Sequence, residues 1–166
     1  MTAHQENRFV FPAMKIIAFK VKDDYFGIDI MRVVEVVNYR SLQKVPQPPP
    51  FVDGVLKFRD NIIPILDFRR RLESANIVHN PDTRIIIFKK NTHLIGIVVD
   101  EASEVVSYVP DEVLTSPDFI IHIKNEFIEG FLEKGNKSII LLDFDKILTT
   151  EESLLLDNFR QCVQES

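Results

Sequence analysis

The chain predicts an all-β architecture of two small barrels packed together, with one amphipathic helix at the C-terminal end. Three observations carry this expectation. First, the sequence repeats itself: IIAFK, YFGIDI and VVEVV in the first half return as IIIFK, LIGIVV and SEVV, with Phe19, Gly27 and Glu35 recurring 69 residues on as Phe88, Gly96 and Glu104. Second, a later block repeats at a different spacing: FVDGVL and ILDFRRRL return as FIEGFL and LLDFDKIL, so that Phe51, Gly54, Asp67 and Leu72 recur 76 residues on as Phe127, Gly130, Asp143 and Leu148. Third, short runs of β-branched and aromatic residues are cut by turn residues, with no long helical pattern between them, which is the signature of barrels or sandwiches rather than of a parallel sheet. The seven-residue slip between the two spacings falls between Val106 and Phe127, where a loop can absorb it.

Taken in order, residues 1–14 show no period and read as a flexible tail. Residues 16–22, 25–30 and 33–39 read as three strands, the first two joined by a tight turn at Asp23-Asp24. Residues 45–50, VPQPPP, hold four of the nine prolines; lacking backbone donors, they form an extended connection rather than a sheet strand. Two more strands follow at 52–58 and 61–66, then a short helical turn at 67–72 and a polar loop at 73–82. The second half repeats the series, with strands at 84–90, 93–99, 104–109, 128–132 and 138–142 and a longer loop through Pro117. From Thr149 the pattern changes. Thr149 or Thr150 can cap a helix, Glu151 and Glu152 suit its positive end, and Leu154, Leu155, Phe159 and Val163 fall at helical spacing. The expected organisation is therefore a tail (1–14), one domain (15–150) made of halves at about 15–72 and 84–148, and a terminal helix (151–166). Each half is too small for an ample core of its own, so the surface between them should be apolar and buried.

Composition narrows the function classes. The 166 residues are 45% hydrophobic, enough for a substantial interior, and the formal charge of −5 disfavours nucleic-acid binding. The apolar runs fall well short of the roughly 20 residues that cross a bilayer, and the N-terminus lacks the pattern of a secretory signal. With Cys162 alone there is no internal disulfide, as suits a reducing compartment. The one basic cluster, Arg69–Arg71, reads as a solvated face.

Catalysis finds no foothold in the motifs. The four histidines show no metal-ligand spacing, no nucleophile elbow exists, and the five glycines are too scattered to form a phosphate loop. Asp67 and Asp143 recur as a carboxylate pair might, but each opens a DFxxxL segment, where capping a helical turn is the better account. Gly54 and Gly130 recur within strands and suggest a bulge or a close backbone approach. Glu35, in VVEVV, should face away from Val34 and Val36. Arg59, at the tip of an apolar hairpin, can pair with a carboxylate from Glu35 or from a partner. Phe119 lies where the repeat is broken, a natural place for an interface anchor.

These segments together carry a family resemblance. FKVKDDYFGIDIMRVVEVV, VPQPPPFVDGVLKFRDNIIPILDFRRRL, IIIFKKNTHLIGIVVDEASEVV and IILLDFDKILTTEE resemble, in order and spacing, the CheW-like coupling domain of bacterial chemotaxis, over about residues 15–159. The resemblance implies two SH3-like five-stranded barrels over a shared interior. It also implies a non-enzymatic adaptor, without cofactor or metal, bridging the regulatory domain of a chemotaxis histidine kinase to the cytoplasmic tip of transmembrane chemoreceptors. Kinase binding is then expected at Glu35, Val36, Gly54 and Arg59, receptor binding near Gly96, Glu104 and Val105, and a second, ring-closing contact at Phe119. A cytoplasmic monomer recruited to receptor arrays at the inner membrane, with no direct insertion, completes that expectation. The chain departs from the family at one hairpin, where the usual Asn-Leu-Arg-Gly reads Lys57-Phe58-Arg59-Asp60. Asp60 replaces a glycine that eases positive φ, so another turn shape or some strain is expected there. The alternatives are a CheW-like module of a non-flagellar pathway and, from another class, a small-ligand-binding β barrel.

Overall fold

A computed structural model describes residues 13–72, 77–115 and 127–164. Ten strands form two five-stranded sheets. They are β1 (Met14–Val21), β2 (Asp24–Asp29), β3 (Val33–Asn38), β4 (Gly54–Phe58), β5 (Asn61–Asp67), β6 (Arg84–Lys90), β7 (His93–Val99), β8 (Glu101–Tyr108), β9 (Ile128–Lys134) and β10 (Lys137–Leu142). A helical turn, α1 (Phe68–Arg71), follows β5, and α2 (Thr150–Gln164) closes the described chain.

The strand order is β8-β1-β2-β10-β9 in one sheet and β3-β6-β7-β5-β4 in the other. Exchanging each strand for its repeat partner converts one order into the other, so the duplication is present as a pseudo-two-fold relation. Neither sheet belongs to one half. Each holds two strands of one repeat and three of the other, because β3, β4 and β5 cross to join β6 and β7, while β8, β9 and β10 return to join β1 and β2. Isolated bridges, Gln43 to Val55 and Leu114 to Phe131, join the opposite edges and curl each sheet into a barrel.

Each barrel has its own small interior: Ile16, Ala18, Leu132, Ile139 and Leu141 in the first, Leu56, Ile63, Ile65, Ile85 and Ile87 in the second. The faces turned outward from these interiors meet in a shared core that includes Phe19, Phe26, Phe68, Phe88 and Phe144. Phe19 and Phe88, equivalent in the repeat, are both fully buried there. Ring pairs at centroid separations of 5.6 Å for Phe19–Phe68 and 5.1 Å for Phe88–Phe144 join each sheet to the segment that follows a strand of the other.

Several local expectations are corrected. The hairpin between β1 and β2 turns at Lys22-Asp23, with Lys22 at φ 57°, and β8 begins three residues before its expected start. Arg69–Arg71 is not one solvated face. Arg69 is 2% exposed and is gripped by Asp67, while Arg71 reaches Glu152 at 2.6 Å on α2; Arg70 alone is exposed. Asp67 is a near neighbour, but Asp100 and Glu152 lie 31 and 81 residues along the chain from the arginines they meet, so local spacing does not reveal the burial. On α2 the buried face is Leu156 and Phe159, whereas Leu154 and Leu155 are 61% and 48% exposed. The capping aspartates behave as expected: Asp67 accepts from the Arg69 N–H and Asp143 from the Asp145 N–H.

Candidate functional site

The repeated glutamates lead to the site. Glu35 sits on β3 just after a bulge that breaks strict alternation: Val33 and Val36 pack on the shared core, Val34 and Val37 on the second barrel's interior. Glu35 therefore does not simply oppose Val34, as two-residue alternation required; the extra residue rotates the strand locally. β3 and β4 are the opposite edges of their sheet, and barrel closure brings them side by side. Across that seam Arg59 Nη2 donates to Glu35 Oε1 at 3.2 Å, with side-chain exposures of 65% and 43%. Arg40 also donates to the Lys57 carbonyl at 3.0 Å, and the Gln43–Val55 bridge completes the closure.

The hairpin that holds Arg59 turns as the other two-residue hairpins do, with Lys22, Asn91 and Gly135 also at positive φ in the first turn position. Arg59 itself takes φ 57°, while Asp60 does not enter the positive region. The positive φ thus falls on the arginine, the residue that makes the ion pair, rather than on Asp60, and its guanidinium lies 4.7 Å from the Phe58 ring centroid.

Gly54 explains itself on the same seam. A Cβ there would stand 2.8 Å from Leu42 Cβ and 2.9 Å from the Gln43 carbonyl oxygen, so only glycine lets the closing segment approach. Gly130 is its counterpart, facing Val113 and Leu114. Val36 is half-buried and packs against the shared core.

The other barrel repeats the arrangement with different chemistry. Glu104, on β8, accepts from Lys137 Nζ at 2.9 Å, and Lys134 pairs with Glu112. Val105 beside it is 55% exposed. Gly96 is not on this surface. It is buried in the second barrel, where a Cβ would fall 2.6 Å from Ile65 Cδ1. Phe119 lies outside the described residues.

Two features escaped the sequence reading. One is a groove of about 900 Å³ between the proline-rich connection and α2, lined by Val45, Pro49, Ile62, Leu155, Phe159 and Val163. Its walls come from segments about a hundred residues apart, so no local pattern announces it. The other is the Arg69 cluster. Nε and Nη2 hold the Asp67 carboxylate at 2.9 and 2.7 Å, and Nη1 donates to the Val78 carbonyl and Asp100 at 2.8 and 3.1 Å. Nη2 also lies 3.1 Å from His79 Nδ1. Asp100 in turn accepts from the Lys22 N–H at 2.7 Å, so the cluster ties one sheet to the other.

The geometry defines a class: paired SH3-like barrels built by strand exchange between two repeats, each closed by a seam with an exposed ion pair. The chain belongs to the CheW-like domain family, whose profile matches residues 15–152. It is 30% identical to the chemotaxis protein CheW of Klebsiella aerogenes over 87% of each chain, and 28% identical to that of Treponema pallidum over 87% of each. The crystal structure of the scaffolding protein TtCheW from Thermoanaerobacter tengcongensis superposes with a TM-score of 0.76 at 28% identity, covering 87% of this chain and 93% of that one. Among the described residues no helix is long and apolar enough to cross a membrane.

Proposed function

We propose that this protein is a non-enzymatic adaptor that couples transmembrane chemoreceptors to a chemotaxis histidine kinase. Membership of the CheW-like family supports the general role, and the exposed Glu35–Arg59 pair on the barrel seam supports the assignment of a partner surface. In this reading the kinase's regulatory domain meets the seam of the second barrel, where Arg59 presents charge and Gly54 keeps the seam closed. The receptor tip meets β8 near Glu104 and Val105, and Gly96 acts from within the second barrel through the strands packed around it. Phe119 closes the ring through a second contact.

Such an adaptor acts by holding two partners in one arrangement. It transmits receptor state only as far as its contacts differ between the kinase's arrangements, and the coupling is reciprocal. The test is a binary titration of this chain against a kinase regulatory domain and, separately, a receptor cytoplasmic tip. Arg59→Ala should weaken the first while leaving the fold intact. Unchanged kinase affinity in that variant would remove the seam from the interface.

A further inference from the structure

We propose that His79 is a proton-sensitive latch that holds the connection between the two repeats, residues 77–80, and the end of β3 against Arg69. A guanidinium has five N–H donors and no acceptor, and it does not lose its proton at any ordinary pH. Four of the Arg69 N–H groups go to Asp67, Asp100 and the Val78 carbonyl. The fifth points at His79 Nδ1, 3.1 Å away. That contact is a hydrogen bond only while Nδ1 keeps its lone pair, which requires the neutral ring with its proton on Nε2. Protonation of Nδ1 replaces the bond with two cations in contact.

The surroundings make the ring responsive. It stacks on Tyr39 at 3.8 Å between centroids and 14° between planes, and Tyr39 follows directly on β3, with its N–H held by the Thr83 carbonyl at 3.0 Å. His79 is still exposed, so protons reach it. Burial against Tyr39 and Arg69 pushes its pKa down, the Arg69 charge adds to this, and Asp67 and Asp53 oppose it. Asp100 also faces the cluster, through Arg69. The lowered value means that the latch is closed above the ordinary histidine pKa of about 6.5 and loosens as pH falls below it. Asp67 and Asp100 keep Arg69 in place throughout, and its bond to the Val78 carbonyl does not titrate, so the connection loosens without dismantling the barrel.

The experiment is carried out on the whole chain between about pH 7.5 and 5, reading imidazole nitrogen shifts and amide exchange at residues 77–80 and Tyr39. The wild-type ring should be the Nε2–H tautomer and titrate below the ordinary value. Opening of residues 77–80 should increase about tenfold for each unit of that displacement. His79→Asn keeps an acceptor at the Nδ1 position and cannot titrate, so its protection should be flat across the same range after correction for intrinsic exchange. A ring that titrates at or above the ordinary value would overturn the latch. So would equal acid loosening in His79→Asn, or simultaneous loss of protection in β5, which would mean general acid unfolding.

Discussion

At the scale of single residues, the recurrent positions divide into packing and seam. Gly27 and Gly96 recur because each lines a narrow barrel interior, with Ile16 Cδ1 at 2.5 Å and Ile65 Cδ1 at 2.6 Å from the missing Cβ. Gly96→Ala should therefore destabilise by about 1–3 kcal/mol through overpacking, measured by urea titration. Phe19→Ala and Phe88→Ala should each cost about 3–5 kcal/mol, since both rings are fully buried in the shared core; a much smaller loss at either would contradict their equivalence. The Glu35–Arg59 pair is exposed and should contribute no more than about 1 kcal/mol to stability. Its effect on partner binding is another matter. If the two side chains act as one unit, Glu35→Gln and Arg59→Ala should each weaken kinase binding, and the double variant should lose less than the two losses combined. The recurrence of these residues was legible in the sequence. Which of them faces a barrel interior and which closes a seam was not, because that depends on strands distant in the chain.

At the scale of elements, α2 is the clearest case of local chemistry and remote docking working together. Thr149 and Glu152 form a reciprocal capping box, with the Glu152 N–H donating to Thr149 Oγ1 at 3.1 Å and the Thr149 N–H donating to Glu152 Oε1 at 2.9 Å. Arg71 then fixes the same glutamate to α1, at 2.6 and 2.9 Å. Burial alone would raise the Glu152 pKa, but the hydrogen bonds from Arg71 and Thr149 outweigh it and hold the carboxyl below its ordinary value. That stabilisation is present above the ordinary glutamate pKa of about 4.3 and is lost as pH falls through the lower folded value. Helix docking, followed through amide exchange at Leu156 and Phe159, should weaken in acid in the wild type. In Glu152→Gln it should already be weakened at neutral pH and should change less on acidification. The helix and its cap were readable from residues 149–163. The docked face was not, since Leu154, Leu155 and Leu156 are equally apolar and only the neighbouring barrel selects the last.

At the scale of the whole molecule, the two partner surfaces proposed on the first and second halves should act independently. Phe119→Ser should leave one-to-one kinase binding nearly intact while reducing higher-order assembly and the cooperativity of signalling. Its effect on affinity should be close to additive with that of Arg59→Ala. A binary titration beside an array-formation assay checks both, and loss of binary binding in Phe119→Ser would end this division of labour. The sequence by itself determined the duplication, the run of short strands, the capping aspartates and the family, because each is written in local periodicity or in residues at constant offset. Only the tertiary structure decided that β3–β5 and β8–β10 exchange between the sheets, that Arg69 is buried among Asp67, Asp100 and His79, and that Glu35 meets Arg59 across a seam. The physical reason is that a strand's pattern specifies which of its faces is apolar, whereas the strand beside it is chosen by how the whole set of apolar faces can be buried at once.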